Sequence, residues 1–302
     1  MNITQKELFE TLTDALLVRA PAKINLSLLI AGKRPDGFHE IETIMAKINF
    51  YDELLVQRRE NSGIEVVSTG PYWAPQGKEN LIYKACELIL QQCGKNAGIK
   101  ITLTKNIPAG SGLGSASSDA AATLLALNKI LKLKLNKKTL NNLASQLGSD
   151  VPFFLGGPLA LCCGKGEKIR NLQKNYNFSA ILILPEINAS TEKVYENYKH
   201  DSTLYNKLKT QIDDAIKKNR IDLVSKMCAN MLLQASCNVY NDLAEIKSKV
   251  EALGIGPLCL SGSGSAMFCI VENQNIDKAL EYIARMENKV GCKSIMVSNN
   301  RW

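Results

Sequence analysis

Residues 16–31 alternate apolar and polar side chains closely enough to predict a strand, with an interruption at Pro21, and residues 46–58 and 63–68 carry the same period. At 80–92 the spacing lengthens to that of an amphipathic helix, stopped at Gly94. Ile99, Ile101 and Leu103 then alternate with Lys100, Thr102 and Thr104, which predicts a half-buried strand. A loop rich in glycine and serine follows. After it the pattern predicts a helix of small residues over 115–131 and a second helix over 138–147.

Beyond Lys165 the texture changes. Residues 180–184 form a short, fully apolar strand, and 191–234 are mostly helical and charged. Residues 258–261 and 266–271 predict two strands around a Gly/Ser turn. A helix at 277–286 and a strand at 292–297 follow. Gly164-Lys165-Gly166 and the polar stretch after it place a domain boundary within 165–178, dividing the chain into 1–170 and 171–302.

Composition narrows the class. Apolar residues make up 45% and charged residues 22%, enough to bury a core and too apolar for global disorder. No stretch has the length and uniform apolarity of a membrane span. The polar first ten residues lack a secretory core and an Arg-rich transit character, so a cytoplasmic location is expected. Nine cysteines, odd in number and without C-x-x-C spacing, are expected to be reduced core residues. Two histidines leave little from which to build a zinc site. The net charge of +8 fits a polyanionic small molecule, a weak nucleic-acid surface, or a solvated face such as Lys132-Leu133-Lys134-Leu135-Asn136-Lys137-Lys138.

Four short motifs carry candidate chemistry. The loop Ile107-Pro108-Ala109-Gly110-Ser111-Gly112-Leu113-Gly114-Ser115-Ala116-Ser117-Ser118 lies between a strand and a helix. Its glycines let backbone N–H groups approach an anion, and the helix behind it offers the positive end of its dipole. No Gly-Lys-Ser/Thr of a Walker loop is present, and the glycine spacing does not fit a dinucleotide fingerprint. The alternative is a tight turn with a serine cap. In Ala20-Pro21-Ala22-Lys23-Ile24-Asn25-Leu26, Lys23 and Asn25 share one side of a strand and are either edge residues or functional. Asp150, in Gly148-Ser149-Asp150-Val151-Pro152-Phe153-Phe154, is either an ordinary helix N-cap or Asx-turn residue or a carboxylate held beside apolar bulk for a purpose. Ser261-Gly262-Ser263-Gly264-Ser265 alone reads equally well as a hairpin turn.

In this chain order the four motifs resemble those of the GHMP kinases. Arg34-Pro35-Asp36-Gly37-Phe38-His39, Glu79-Asn80-Leu81-Ile82 and the Asp150 motif narrow the resemblance to the diphosphocytidyl-methylerythritol kinases, over nearly the whole chain. The resemblance implies an α+β, two-domain fold. Its N-terminal domain is like domain 2 of ribosomal protein S5, with a left-handed βαβ crossover, and its C-terminal domain is ferredoxin-like. It implies transfer of the ATP γ-phosphate, with Mg²⁺, to the 2-hydroxyl of a cytidyl diphosphate substrate, 4-diphosphocytidyl-2-C-methyl-D-erythritol, on the non-mevalonate route to isoprenoids. Nucleic-acid and membrane partners are not expected.

Carried over by position, Lys23 and Asp150 form the catalytic pair. Asn80, Pro108, Gly110, Ser111, Gly112, Leu113, Gly114, Ser115, Ser117 and Ser118 bind ATP. Asn25 positions the methylerythritol. Phe38 and Tyr195 sandwich the cytosine, His39 bonds its edge, and Gly262, Ser263 and Gly264 close the substrate side. Two departures are visible: the family loop is richer in glycine around Ser115-Ala116, and Tyr is frequent where Phe38 stands. Rival readings are another GHMP kinase for mevalonate, homoserine or a sugar, a silent sugar-binding regulator, and an RNA-binding protein. The last lacks a basic stripe interleaved with aromatics.

Overall fold

The computed structural model describes residues 6–172, 176–271 and 276–302. In chain order the first half contains β1 (Phe9–Thr11), β2 (Ala15–Lys33), β3 (His39–Arg59), β4 (Gly63–Thr69), α1 (Leu81–Gln92), β5 (Gly98–Thr104), α2 (Ser115–Ile130), α3 (Lys137–Leu147), α4 (Val151–Leu155), β6 (Leu159–Gly164) and β7 (Lys168–Asn171). The second half contains β8 (Ser179–Leu184), α5 (Thr191–Glu196), α6 (Ser202–Lys217), α7 (Ile221–Met227), β9 (Ala229–Asn230), α8 (Leu233–Val239), α9 (Asn241–Ala252), β10 (Cys259–Leu260), β11 (Met267–Val271), α10 (Ile276–Val290) and β12 (Lys293–Ser298).

The long antiparallel hairpin β2–β3 is the spine of the first sheet, whose path is β1-β2-β3-β5-β4. One half of β3 pairs with β5 and the other with β6, and β4 lies parallel to β5 with α1 as the crossover. Val18 to Ile30 of β2 are buried on both faces. Leu16, Val18 and Ala20 pack into the core formed with α1 and α2, while Ala22, Ile24 and Leu26 pack into a second core shared with α6 and α7. A strand covered on both sides reads as a continuous apolar run, so Lys23 and Asn25 within it are buried rather than edge residues.

Pro21 does not interrupt β2. It pairs with Tyr51, and the register shifts between Pro21 and Ala22, so the missing N–H is absorbed as a bulge. The sequence pattern also passes over α4, β6, β7 and α9. Each is short or weakly periodic and is stabilised by packing on neighbours.

The second sheet is antiparallel, in the order β10-β11-β8-β12. With α10 between β11 and β12, and the other helices between β8 and β10, this is the βαββαβ arrangement of a ferredoxin-like layer. Part of the expected boundary region, 173–175, lies outside the described residues. Among the described residues no helix is long and apolar enough to cross a membrane.

One sequence expectation is overturned. Cys228, which ends α7, and Cys259 in β10 form a disulfide across 31 residues. The Asn230 amide donates to the carbonyls of Leu260 and Gly262 at 2.9 and 2.8 Å, so β9 holds the end of α7 against β10. That proximity comes from tertiary packing, and cysteine spacing does not encode it. Cys86, Cys162, Cys269 and Cys292 are free and buried, as expected.

Candidate active site

The loop between β5 and α2 is held by its carbonyls. Those of Gly110, Ser111, Gly112 and Leu113 accept, in turn, from Ala189 N–H (3.0 Å), Ala266 N–H (2.9 Å), the Ser261 hydroxyl (2.9 Å) and Lys23 N–H (2.9 Å). Among the described residues, the N–H groups of residues 109–114 donate to no protein acceptor. Gly110, Gly112 and Gly114 all have φ between 64° and 75°, the left-handed region that glycine tolerates. A side chain at Gly112 would overlap the Ser261 carbonyl, and one at Gly114 would meet Phe154 and Lys23. The backbone therefore turns its acceptors inward and leaves its donors for an anion. At its end Gly114 precedes the first turn of α2, where Ser118 Oγ is buried without a partner.

The turn Ser261–Ser265 faces this loop. Ser236 Oγ donates to the Ser263 carbonyl, Thr191 and Ser263 share a hydroxyl contact at 2.9 Å, and Ser265 Oγ donates to the Ile187 carbonyl at 2.6 Å. A side chain on Gly262 would come against Gly112 and the Lys23 ammonium. Gly262, Ser263 and Gly264 thus close against the first loop, and Lys23 lies between the two.

Lys23 is buried at 3% exposure, and its Nζ donates to Asn25 Oδ1 at 2.5 Å. Asn25 Nδ2 donates to Thr43 Oγ1 at 2.7 Å, which fixes the amide so that its oxygen faces the ammonium. Burial lowers the Lys23 pKa, and the Asp150 carboxylate opposes that shift. Asp150 sits at the N-terminus of α4, but its side chain does not cap the helix. The capping alternative left open by the sequence is therefore not realised. At the other end of α4, Lys47 Nζ donates to the carbonyls of Phe154 and Gly156 at 3.0 and 2.9 Å. Burial pulls the Lys47 pKa down to about 7.

The Asn80 side chain is engaged by its own chain segment. Its oxygen accepts from Ile82 N–H at 2.9 Å and its nitrogen donates to the Pro75 carbonyl at 2.9 Å, capping α1. On the opposite side the His39 and Tyr195 rings lie 4.9 Å apart, with Tyr198 edge-on to His39. Burial, with Lys33 and His200, lowers the His39 pKa, and burial raises that of Tyr195. Phe38 is 57% exposed, and the Lys165 ammonium lies 4.5 Å from its ring centre. His39, Tyr195 and Tyr198 thus form one aromatic group, and the Asp150 charge acts on Tyr195.

Sequence reasoning missed a buried charge cluster beneath the loop. Lys105 Nζ bonds Asp52 Oδ2 at 2.5 Å, Asp119 Oδ2 at 2.7 Å and the Ser115 hydroxyl. Burial pulls the Lys105 pKa down, but Asp119 and Asp52 together outweigh it and leave it raised. Burial raises that of Asp119, against the pull of Lys105. A signal was present: Lys105 continues the inward phase of Ile99, Ile101 and Leu103, and Asp52 shares the inward phase of Leu54 and Val56. Among the described residues no group of three His, Cys, Asp or Glu side chains is arranged to hold a metal by itself.

The family models for the GHMP kinases N terminal domain and GHMP kinases C terminal match residues 80–157 and 214–289. A 4-diphosphocytidyl-2-C-methyl-D-erythritol kinase of Chloroherpeton thalassium is 42% identical over 257 residues, covering 83% of this chain and 87% of that protein. One of Geobacillus sp. (strain WCH70) is 36% identical over 260 residues, covering 86% and 89%. The chain belongs to the 4-diphosphocytidyl-2-C-methyl-D-erythritol kinase family, within the GHMP kinases. The structure of this kinase also resembles a solved 4-(cytidine 5'-diphospho)-2C-methyl-D-erythritol kinase, at TM-score 0.74 and 30% identity, covering 95% of this chain and 100% of the other. Homoserine kinase from Cytophaga hutchinsonii matches at TM-score 0.73 and 19% identity, covering 98% of each chain, a likeness of fold.

Proposed function

We propose that this kinase transfers the γ-phosphate of ATP to the 2-hydroxyl of 4-diphosphocytidyl-2-C-methyl-D-erythritol, with Lys23 and Asp150 as the catalytic pair. The observation that carries the assignment of the site is the backbone of residues 109–114, with acceptors bound to the scaffold and donors free. That arrangement suits a chain of phosphates at a helix N-terminus.

In the reaction the 2-hydroxyl oxygen forms a bond to the γ-phosphorus, the bond to the β-γ bridging oxygen breaks, and ADP leaves. The hydroxyl proton goes to Asp150, whose carboxylate has no helix-capping duty to give up. Lys23, aligned by Asn25, places a cation at the reacting oxygens, and the Asp150 carboxylate opposes the burial that would discharge the ammonium. Phe38, His39 and Tyr195 hold the cytosine, with the Gly262–Ser265 turn closing the substrate side. Ser118 Oγ and Asp119 Oδ1, both buried without a partner, are hard oxygen donors that fit Mg²⁺ accompanying ATP. Bound there, Mg²⁺ would neutralise phosphate charge.

ADP release measured with and without the cytidyl substrate tests the reading. ATP turnover is expected only with the cytidyl diphosphate, and equal turnover on free methylerythritol would overturn it.

A further inference from the structure

We propose that Asp52 is a positioning residue for phosphoryl transfer: its single carboxylate fastens both stems of the anion loop and so sets the geometry in which the loop N–H groups meet ATP. This rests on the reading of residues 109–114 as the ATP phosphate site. Asp52 is fully buried on β3, the strand at the centre of the first sheet. Its Oδ1 accepts from the backbone N–H groups of Asn106 and Ile107 at 2.6 and 2.8 Å, immediately before the loop. Its Oδ2 accepts from the Ser115 hydroxyl at 2.8 Å, on the first residue of α2 just after the loop. Lys105 Nζ takes the remaining position on Oδ2 at 2.5 Å.

An ionised carboxylate offers about four acceptor sites, and here all four are used. Asparagine cannot reproduce this set, because its nitrogen would point N–H groups at the Lys105 ammonium. The clamp reduces the free span to residues 108–114, so less chain has to be ordered when a ligand binds. Lys105 is equally part of the device. A bare carboxylate beneath an anion site would repel phosphate; the Lys105 ammonium offsets the Asp52 charge and is held from its far side by Asp119 on α2, whose pKa burial raises to about 8 so that it adds little negative charge of its own at neutral pH.

The test uses Asp52→Asn and Asp52→Ala in the full chain, with Gly112→Val as a control on the loop itself. Asp52→Asn should raise the KM for ATP about tenfold and leave that for the cytidyl substrate within about twofold, on the scale of losing charge-assisted hydrogen bonds. Asp52→Ala should raise it further. Without nucleotide, amide exchange over 106–118 should speed up in both variants, while β8 and β12 keep wild-type rates. A lowered melting temperature with unchanged ATP KM and unchanged exchange over 106–118 would overturn the proposal. If neither variant folds, the wild-type protein decides: the amides of Asn106 and Ile107 must be strongly protected against exchange, and rapid exchange there refutes the clamp. Loss of ATP affinity in Gly112→Val beside a normal Asp52→Asn enzyme rejects the clamp alone. Undiminished ATP affinity in a folded Gly112→Val protein rejects the loop reading itself.

Discussion

The Lys23 ammonium sits 2.5 Å from the Asn25 amide oxygen and meets the charge of Asp150 only through space. Asn25 is anchored by Thr43, which in turn donates to the Ser27 carbonyl at 2.6 Å. The Lys23 ammonium is therefore aimed by its own strand and by β3, and Asp150 is supplied independently by α4. Charge and aim come from different parts of the chain, so they can be separated by mutation.

Asp150→Asn removes the proton acceptor and keeps the shape. The expected result is a kcat loss of roughly 100-fold or more with little change in either KM. Lys23→Ala should cost a similar factor, and the double variant far less than the product, because the two act as a unit. Near-normal kcat in a folded Asp150→Asn enzyme would return Asp150 to a turn role.

Asn25→Ala leaves the Lys23 charge in place but releases its aim. A kcat loss of roughly tenfold, smaller than for Lys23→Ala, is expected, since the ammonium stays in place and the loss is the low end, about 1.5 kcal/mol, of what a hydrogen bond to a charged group contributes. Steady-state kinetics of the two variants side by side decides this, and equal losses would mean that Asn25 acts on the substrate directly.

Gly112→Val introduces a side chain where the Ser261 carbonyl already lies, in the seam between the two loops. The residue also leaves a left-handed conformation, φ 75°, that valine does not tolerate. ATP affinity measured by calorimetry should fall strongly. Because the obstruction is on the Ser261 side, the variant should also disturb the Gly262–Ser265 turn and weaken the cytidyl substrate, which Ser118→Ala should spare.

Lys47 gives a pH signature of stability. Its folded pKa is about 7 against 10.5 for the free side chain, owing to burial. Between these values the unfolded chain binds a proton that the folded chain lacks, so this group makes stability rise with pH, by at most about 1.4 kcal/mol per pH unit. Urea unfolding of wild type and Lys47→Met from pH 7 to 10 isolates the term, since other groups contribute to both proteins alike. Parallel pH profiles would show that Lys47 keeps an ordinary pKa in the fold.

The proposed placement of cytosine at Phe38, His39 and Tyr195 predicts base selectivity. Phe38→Ala should raise the KM of the cytidyl substrate more than that of ATP, because the exposed ring, next in the chain to His39, offers a free stacking face. A uridine analogue should be a poor substrate, since it leaves hydrogen-bonding groups unmatched. Competition between the two nucleosides in the ADP-release assay measures this.

The sequence by itself determined the strands β2, β3 and β5, the helices α1, α2 and α3, and the glycine loops. These rest on periodicity and backbone freedom, which act within a few residues. It also singled out Lys23, Asn25 and Asp150 as residues of one motif set. Only the tertiary structure decided which buried charges meet. Asp52 reaches Lys105 across 53 residues and Ser115 across 63, and Lys47 reaches the end of α4 across 107 and 109. The Cys228–Cys259 bond likewise follows from β9 and β10 being packed together. The inward phase of Lys105 and Asp52 was legible, but their partners were not. A buried charge must find its counter-charge wherever strand register and helix packing bring one, and that pairing is long-range.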